Sequence, residues 1–244
     1  YLARMIGRHC VILVCMKPLA AIVLVALLAG CGADPEPPRP ALRYTSEYPG
    51  IAYATGMPTG AAGRLATDLA SGETTLGYQD DRGFLDAVLD RLDIDPSSQA
   101  LVFSRTSLQA GHIRPETPRA LYFSDDSFVG WTPGAPAVEI ASYDPALGPV
   151  FFALTQQPDA PVMQRELHSC LRCHDTYSLS GGGVPRFLLG SGYTGTDGEL
   201  VSHEAWILTS PATPFRNRWG GWYVTGTHGD AAHLGNIVVE RAEE

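Results

Sequence analysis

The chain has 244 residues, of which 45% are hydrophobic and 18% are charged. This balance is typical of a folded globular protein and excludes a disordered chain. The formal net charge is −9, which argues against nucleic-acid binding because that function needs a basic surface. We therefore expect no nucleic-acid partner. The acidity either favours a partner protein with a basic docking face or serves only to keep the protein soluble.

Residues 1–31 have the features of an export signal. A positive start at Met16 and Lys17 is followed by an apolar run over residues 19–28 and by small residues before Cys31. This order is that of a secretory signal peptide. The ending resembles the lipobox of bacterial lipoproteins. The resemblance implies that Cys31 is lipidated and becomes the first residue of the mature protein.

The same resemblance implies a location in the bacterial cell envelope, where a lipid anchor holds the protein to a membrane on its periplasmic side. Gly32 stands where an aspartate would favour the inner membrane, which slightly favours the outer membrane. Residues 1–15 precede the expected start at Met16, and we interpret them as a fragment's end or an over-extended reading frame. The alternative is an uncleaved transmembrane helix over residues 10–30, a stretch of spanning length that carries a lysine and a proline in its middle.

The rest of the chain divides into a tether and one domain. Residues 32–50 are rich in proline and polar, and we expect them to be extended. Residues 51–244 form the predicted domain, which the end of the chain could truncate. Apolar residues at helical spacing predict a short helix over 63–70 and an amphipathic helix over 83–93. A candidate strand follows at 100–103.

From residue 120 the pattern changes to short segments rich in β-branched and aromatic residues. Four of them, ALYF, SFVGWT, AVEIASY and VFFALTQ, follow one another at a spacing of roughly ten residues, which predicts an antiparallel meander. Asp159 and Pro161 are typical of a helix start, so we predict a helix that runs from there towards residue 170. Later segments are predicted to be partly β, with a strand at 236–239. The expected fold class is α+β: an antiparallel β-meander with a few helices.

Cys170, Cys173 and His174 form a C-x-x-C-H motif at the end of that predicted helix, and this motif is the attachment signature of c-type haem. Two thiols at this spacing can each form a thioether with a haem vinyl group, and the next residue then offers its imidazole to the iron. Cys170 and Cys173 are the only cysteines after Cys31. Export agrees with this chemistry, because c-type haem is attached outside the bacterial cytoplasm.

Two other uses of the cysteine pair remain open. A zinc site would need further ligands, usually more cysteines or a spaced pair of histidines. A redox-active dithiol ordinarily begins a helix that follows a strand. The predicted helix precedes the motif here, which disfavours the dithiol.

The motif resembles that of bacterial c-type cytochromes with a single haem. The resemblance implies one covalent haem c, with Cys170 and Cys173 attached to it and His174 as the proximal iron ligand, and it implies electron transfer. The stretches PRALYFSDDSFVGWTPG and RWGGWYVTGTHGD are also similar to bacterial proteins known only by their cytochrome-c domain. Small soluble cytochromes c carry the motif near the start of a helical domain. Here it lies deep in the chain, so we do not expect their fold.

The sixth iron ligand decides between electron transfer and catalysis. We place His228 first, because the glycines beside it would let its loop approach a flat macrocycle closely. His233 comes next, and then an open site, which would make the protein a haem enzyme acting on peroxide or a nitrogen oxide. A third possibility is a structural or sensory lipoprotein in which the motif is incidental. The remaining candidate ligands are Met57, His112 and His203.

Charged and aromatic residues near the motif and the C-terminus complete the candidates. Arg216 and Arg218 could donate to the two haem propionates. Trp219 and Trp222 could form a wall of the haem site, although a strand with its arginines in solvent is the alternative. Asp175 directly follows His174 and could tune its imidazole, but we expect it to be an exposed acid at the end of a helix.

Overall fold

A computed structural model describes residues 50–176, 183–202 and 206–240. The predicted export signal, Cys31, His203 and nearly all of the predicted tether lie outside the described residues, as does the alternative membrane span. Among the helices of the described ranges, none is long and apolar enough to cross a membrane.

Two helices precede the sheet, α1 (Ala61–Ser71) and α2 (Leu85–Arg91), and they confirm the two helices predicted from apolar spacing. Helix α1 ends at Gly72, whose φ of 76° lies in the left-handed region. Glycine adopts this conformation without a steric cost, and it stops the helix here. Both helices carry buried apolar residues on one side, so that side has to pack against another element.

Seven strands of the described chain form one sheet in which every neighbouring pair is antiparallel. They are β1 (Ala100–Val102), β2 (Arg119–Phe123), β3 (Ser127–Trp131), β4 (Ala137–Asp144), β5 (Gly148–Thr155), β6 (Met163–Arg165) and β10 (Trp222–Tyr223). Their spatial order is β10-β1-β2-β3-β4-β5-β6. The consecutive strands β2 to β5 confirm the predicted meander, and the mixed architecture is compatible with the α+β class.

The C-terminal part of the described chain adds two small strand pairs. They consist of β7 (Gly190–Ser191) with β9 (Ile207–Leu208), which are antiparallel, and β8 (Thr194–Gly195) with β11 (Val238–Val239), which are parallel. Strand β10 returns from this part to pair with β1 at the sheet edge opposite β6. The later segments are therefore partly β, as predicted.

One face of the sheet, called the helix face below, is defined by Val138, Ile140, Phe152 and Leu154. Cross-strand pairing places Ile140 opposite Phe152 and Val138 opposite Leu154. These four side chains belong to the same buried cluster as the apolar residues of α1 and α2, and each is at most 3% exposed. The main hydrophobic core of the domain lies on this face.

The opposite face, called the motif face below, is defined by Arg119, Phe128, Glu139 and Phe151. Ala141 of β4 is paired with Phe128 on β3 and with Phe151 on β5, so the three side chains share a face. Glu139 is two residues from Ala141 on the same strand and therefore points to the same side. This face carries the C-x-x-C-H segment.

The helix predicted to start at Asp159 is wrong. Residues 163–165 form the edge strand β6, whose Arg165 lies opposite Phe152, and the backbone N–H of Thr155 donates to the carbonyl of Val162. Pairing with β5 overrides the local helix-start signal because it satisfies backbone groups along the edge of the sheet. A helix forms only at the motif itself, as α3 (Leu171–His174).

Candidate functional site

A single helical turn brings the two cysteines and the histidine of the motif together. Cys170 precedes α3, and its carbonyl accepts the backbone N–H groups of Cys173 at 3.2 Å and His174 at 3.0 Å. Residues three and four apart on a turn lie on the same side of it. Both cysteines are free thiols, Cys170 half-buried and Cys173 exposed.

His174 is held in one orientation by a carbonyl oxygen. Its Nδ1 lies 2.7 Å from the backbone oxygen of Arg186, and the N–H of Arg186 donates in return to the carbonyl of His174 at 2.9 Å. A carbonyl can only accept, so Nδ1 carries the proton and donates. In the neutral ring Nε2 then has the free lone pair, which is the arrangement that metal-binding histidines use.

The imidazole of His174 packs against the motif face of the sheet. Its ring centroid lies 4.4 Å from that of Phe151, with the planes 37° apart, and Phe187 contacts both Phe151 and Phe128. Burial lowers the pKa of His174; Arg119 lowers it further, while the Arg186 carbonyl and Glu139 oppose the shift. The neutral imidazole, which is the ligand form, is therefore favoured at neutral pH.

The two thiols have different surroundings. Burial raises the pKa of Cys170 to about 12, and Glu139, Glu166 and Cys173 raise it as well. The structure overturns the positional argument against a redox dithiol, because the pair does begin a helix after a strand. A thiol with a raised pKa is seldom ionised at neutral pH, so Cys170 would not be the attacking thiol of a dithiol pair.

An ion pair beside the motif was not found from the sequence. Arg119 Nη1 lies 2.7 Å from Glu139 Oε2, and the two side chains are only 15% and 16% exposed. The Nε of Arg119 is buried and has no hydrogen-bond partner in the described part of the chain. The sequence carries no local signal for this pairing, because Arg119 and Glu139 meet only through the register of β2, β3 and β4.

Asp175 is fully buried, so the expectation of an exposed acid is wrong. The chain leaves the helical conformation at Asp175 (φ −135°, ψ 47°) and turns the residue inwards. Its charge is one of several causes that raise the pKa of Tyr53 to about 12; burial is the largest, and Arg165 opposes the shift. Arg165 donates to the carbonyls of Tyr53 and Gly56, which ties the start of the domain to the strand before the motif.

His228 and His233 lie on one loop and contact each other, with ring centroids 4.3 Å apart and nearly perpendicular planes. Asn236 closes the loop, because its side chain accepts from the N–H and donates to the carbonyl of Val224, both at 2.8 Å. The Nδ1 of His233 accepts the N–H of Gly235 at 2.9 Å. That bond uses the one lone pair of a neutral imidazole, so His233 would have to break it to bind iron. Exposed His228 has no such bond among the described contacts.

The structure does not bring the loop histidines into contact with His174. No hydrogen bond or ring contact between described residues joins them, and no group of three or more potential metal ligands occurs in the described chain. Met57 is 78% exposed and His112 is exposed as well. The distal ligand therefore stays a prediction, with His228 ahead of His233.

The predicted propionate donors have other surroundings. Arg218 donates through Nε to the carbonyl of Thr213 at 2.8 Å and through Nη2 to that of Pro211 at 3.0 Å. Arg216 lines a shallow cavity of about 340 Å³ beside Phe215. The structure therefore does not bring either arginine to the motif through a described contact.

A short extended segment, residues 186–190, connects the motif to the C-terminal strands. The carbonyl of Arg186 accepts from His174, that of Leu189 accepts from the N–H of Thr209, and that of Gly190 accepts from the indole of Trp222 at 2.9 Å. Trp222 is buried in strand β10. The Trp222 indole is thus linked to the motif through this segment. Among the described contacts, it does not touch the ring of His174.

Comparisons with known proteins identify no relative. No protein-family model, no curated protein and no solved structure matches this chain. The functional interpretation therefore depends on the residues themselves. Two thiols and an oriented imidazole on one turn are groups that could hold a haem covalently.

Proposed function

We propose that the chain is an exported, lipid-anchored c-type cytochrome that holds one covalent haem c and transfers electrons. The observation that carries this proposal is the hydrogen bond from His174 Nδ1 to the Arg186 carbonyl. It leaves the Nε2 lone pair available on the same helical turn as two free thiols. A redox dithiol has no need of an oriented imidazole, and a zinc site could use the same three groups but needs further ligands.

Each residue of the motif has a distinct role. Cys170 and Cys173 would hold the haem through two thioethers, each formed by adding S–H across a vinyl C=C bond with no net loss of electrons. His174 would bind the iron through Nε2, while the Arg186 carbonyl keeps the ring in place. The bound haem supplies an iron that changes between two oxidation states. The half-buried surroundings of His174 disfavour extra positive charge and so favour the reduced state.

The other parts of the proposal follow from the sequence. Cys31 carries the lipid that anchors the protein to a membrane of the bacterial cell envelope, with the domain facing the periplasm. The acidic chain attracts a redox partner with a basic docking face and no nucleic acid. His228 is the first choice for the distal ligand, because its lone pair has no hydrogen bond in the described contacts.

Covalent attachment is tested by expressing the chain with a cytochrome c maturation system. We expect the wild-type protein to retain haem after denaturing electrophoresis, and the double variant Cys170→Ala/Cys173→Ala to retain none. His112→Ala is the matched control, since it replaces an exposed histidine away from the motif and should retain the full haem signal. Haem staining of the double variant, or none in the wild type, would contradict the proposal.

Carbon monoxide binding to the reduced, haem-loaded protein distinguishes two functions. One is an electron carrier, and the other is a haem enzyme with an open distal site acting on peroxide or a nitrogen oxide. The reduced wild-type protein should not bind carbon monoxide readily, because a distal side chain occupies the iron. His228→Ala should bind it, and His233→Ala should bind it less. Ready binding by the wild type would favour the enzyme. A folded wild-type protein without haem would favour the structural or sensory lipoprotein.

A further inference from the structure

We propose that the ion pair of Arg119 and Glu139 is a positioning and charge-compensating element that sets the reduction potential of the haem held by His174. This inference rests on the proposed function. It concerns two residues of the sheet, outside the attachment motif, and assigns opposite effects to them.

The register of the sheet places the pair next to the proximal histidine. Phe151 contacts the ring of His174 at 4.4 Å and lies opposite Ala141. Glu139 is the next residue of β4 on that face, about 7 Å along the strand from Ala141. The imidazole and the carboxylate are therefore separated by on the order of 10 Å, a distance at which a charge in a partly buried site still acts on the iron.

The surroundings of the ion pair strengthen its effect. Both side chains of the pair are largely removed from water. Water consequently screens their charges less than it would at the surface.

A glycine leaves room for the Arg119–Glu139 ion pair on the surface of the sheet. Gly130 of β3 lies between the two strands, opposite both Glu139 and Leu121. A Cβ at this position would lie 3.1 Å from Glu139 Oε2 and 3.4 Å from Arg119 Cδ. Without a side chain at 130, the guanidinium reaches across β3 and holds the carboxylate in one place.

The two charges act with opposite signs. A carboxylate near the iron stabilises the oxidised state, which carries one more positive charge, and so lowers the potential. The guanidinium opposes it, so the intact pair contributes little net charge. Removing either partner exposes the effect of the other.

The test is potentiometric titration of haem-loaded protein. Glu139→Gln should raise the midpoint potential, because the amide still accepts from Arg119 while the negative charge is lost. Arg119→Gln should lower it. At a fixed applied potential, each variant should change the ratio of reduced to oxidised protein by about ten-fold. The double variant should lie near the wild type.

Arg105→Gln is the matched control, because Arg105 forms a 2.8 Å ion pair with Glu199 that is more exposed. It should leave the potential unchanged. Equal shifts in the control, or shifts of the same sign for both members of the pair, would overturn the inference while covalent haem staining still supported the proposed function. If Arg119→Gln does not fold, Glu139→Gln decides alone: an unchanged or lowered potential would overturn the inference.

Discussion

The two faces of the seven-stranded sheet differ in what covers them. On the helix face, aliphatic and aromatic side chains that are at most 3% exposed pack with α1 and α2. On the motif face lie an ion pair, three phenylalanine rings and the imidazole of His174, most of them half-buried. The first face is built from apolar burial, and the second combines aromatic packing with an ion pair.

The two faces therefore have different roles, the helix face in stability and the motif face in the proposed chemistry. Burial of apolar area is the main favourable term in folding, so the helix face holds most of the free energy of unfolding. The motif face can carry thiols, charges and an oriented imidazole because the fold does not depend on filling it completely. Phe151 belongs to the buried cluster and also contacts His174, so it is the point where the two roles meet.

The largest effect should come from removing core volume on the helix face. Leu154 is fully buried, and Leu154→Ala should lower the free energy of unfolding by about 3 kcal/mol through lost burial and a new cavity. Leu121→Ala makes the same change at a half-buried site on the motif face and should cost about 1 kcal/mol. Urea unfolding of the two haem-loaded variants measures both values. Equal losses would break the contrast between the faces.

A smaller effect is expected where the end of β4 holds the start of α1. The carboxylate of buried Asp144 accepts four backbone N–H groups, from Thr59, Gly60, Ala146 and Leu147. Asp144→Asn should lower the free energy of unfolding at pH 7 by about 2 kcal/mol, since an amide cannot accept all four.

The Asp144 carboxylate also makes this contribution dependent on pH. Burial by itself would raise its pKa, but the four N–H groups outweigh burial and lower it. The charged form stabilises the fold above pH about 4, the ordinary pKa, and that stability is lost as the pH falls through the lower pKa of the folded state. Wild type and Asp144→Asn should therefore converge in acid-unfolding curves as the pH falls below about 4. A difference that stays constant as the pH falls would show that the charge contributes nothing.

The smallest effect should come from the residue that the two faces share. Phe151→Leu keeps an apolar side chain but removes the ring that contacts His174, and it should cost about 1 kcal/mol. If haem is bound as proposed, Phe151→Leu should also change the midpoint reduction potential of the haem. Leu154→Ala should leave that potential near the wild-type value. If both variants shift the potential equally, stability and chemistry are not separated.

Strands β2 to β5 were predictable because segments rich in β-branched and aromatic residues, separated by turn residues, are local signals. The edge strand β6 was not, because Asp159 and Pro161 resemble a helix start while the pairing that decides the outcome lies in β5. The motif was predictable because its signal is also local: Cys170, Cys173 and His174 lie within one helical turn.

The remaining parts of the site depend on register, which the sequence pattern does not specify. Arg119 and Glu139 are 20 residues apart. They meet across strand β3, where Gly130 has no side chain that would stand between them. The burial of Asp175 likewise depends on a backbone angle just after α3. Contacts of this kind need the sheet to be assembled before they can be seen.

Segment 186–190 gives the motif a mechanical connection to the far edge of the sheet. Its carbonyls accept from His174 at one end and from the Trp222 indole at the other. Loading the imidazole with metal makes its Nδ1–H a stronger donor, and this should reduce the local opening of the segment. Amide hydrogens of Thr209 and Gly192, which donate to carbonyls of this region and its partner loop, should then exchange more slowly in the loaded protein. Cofactor attachment on the motif face would then be detected as slower exchange beside the β7–β9 strand pair.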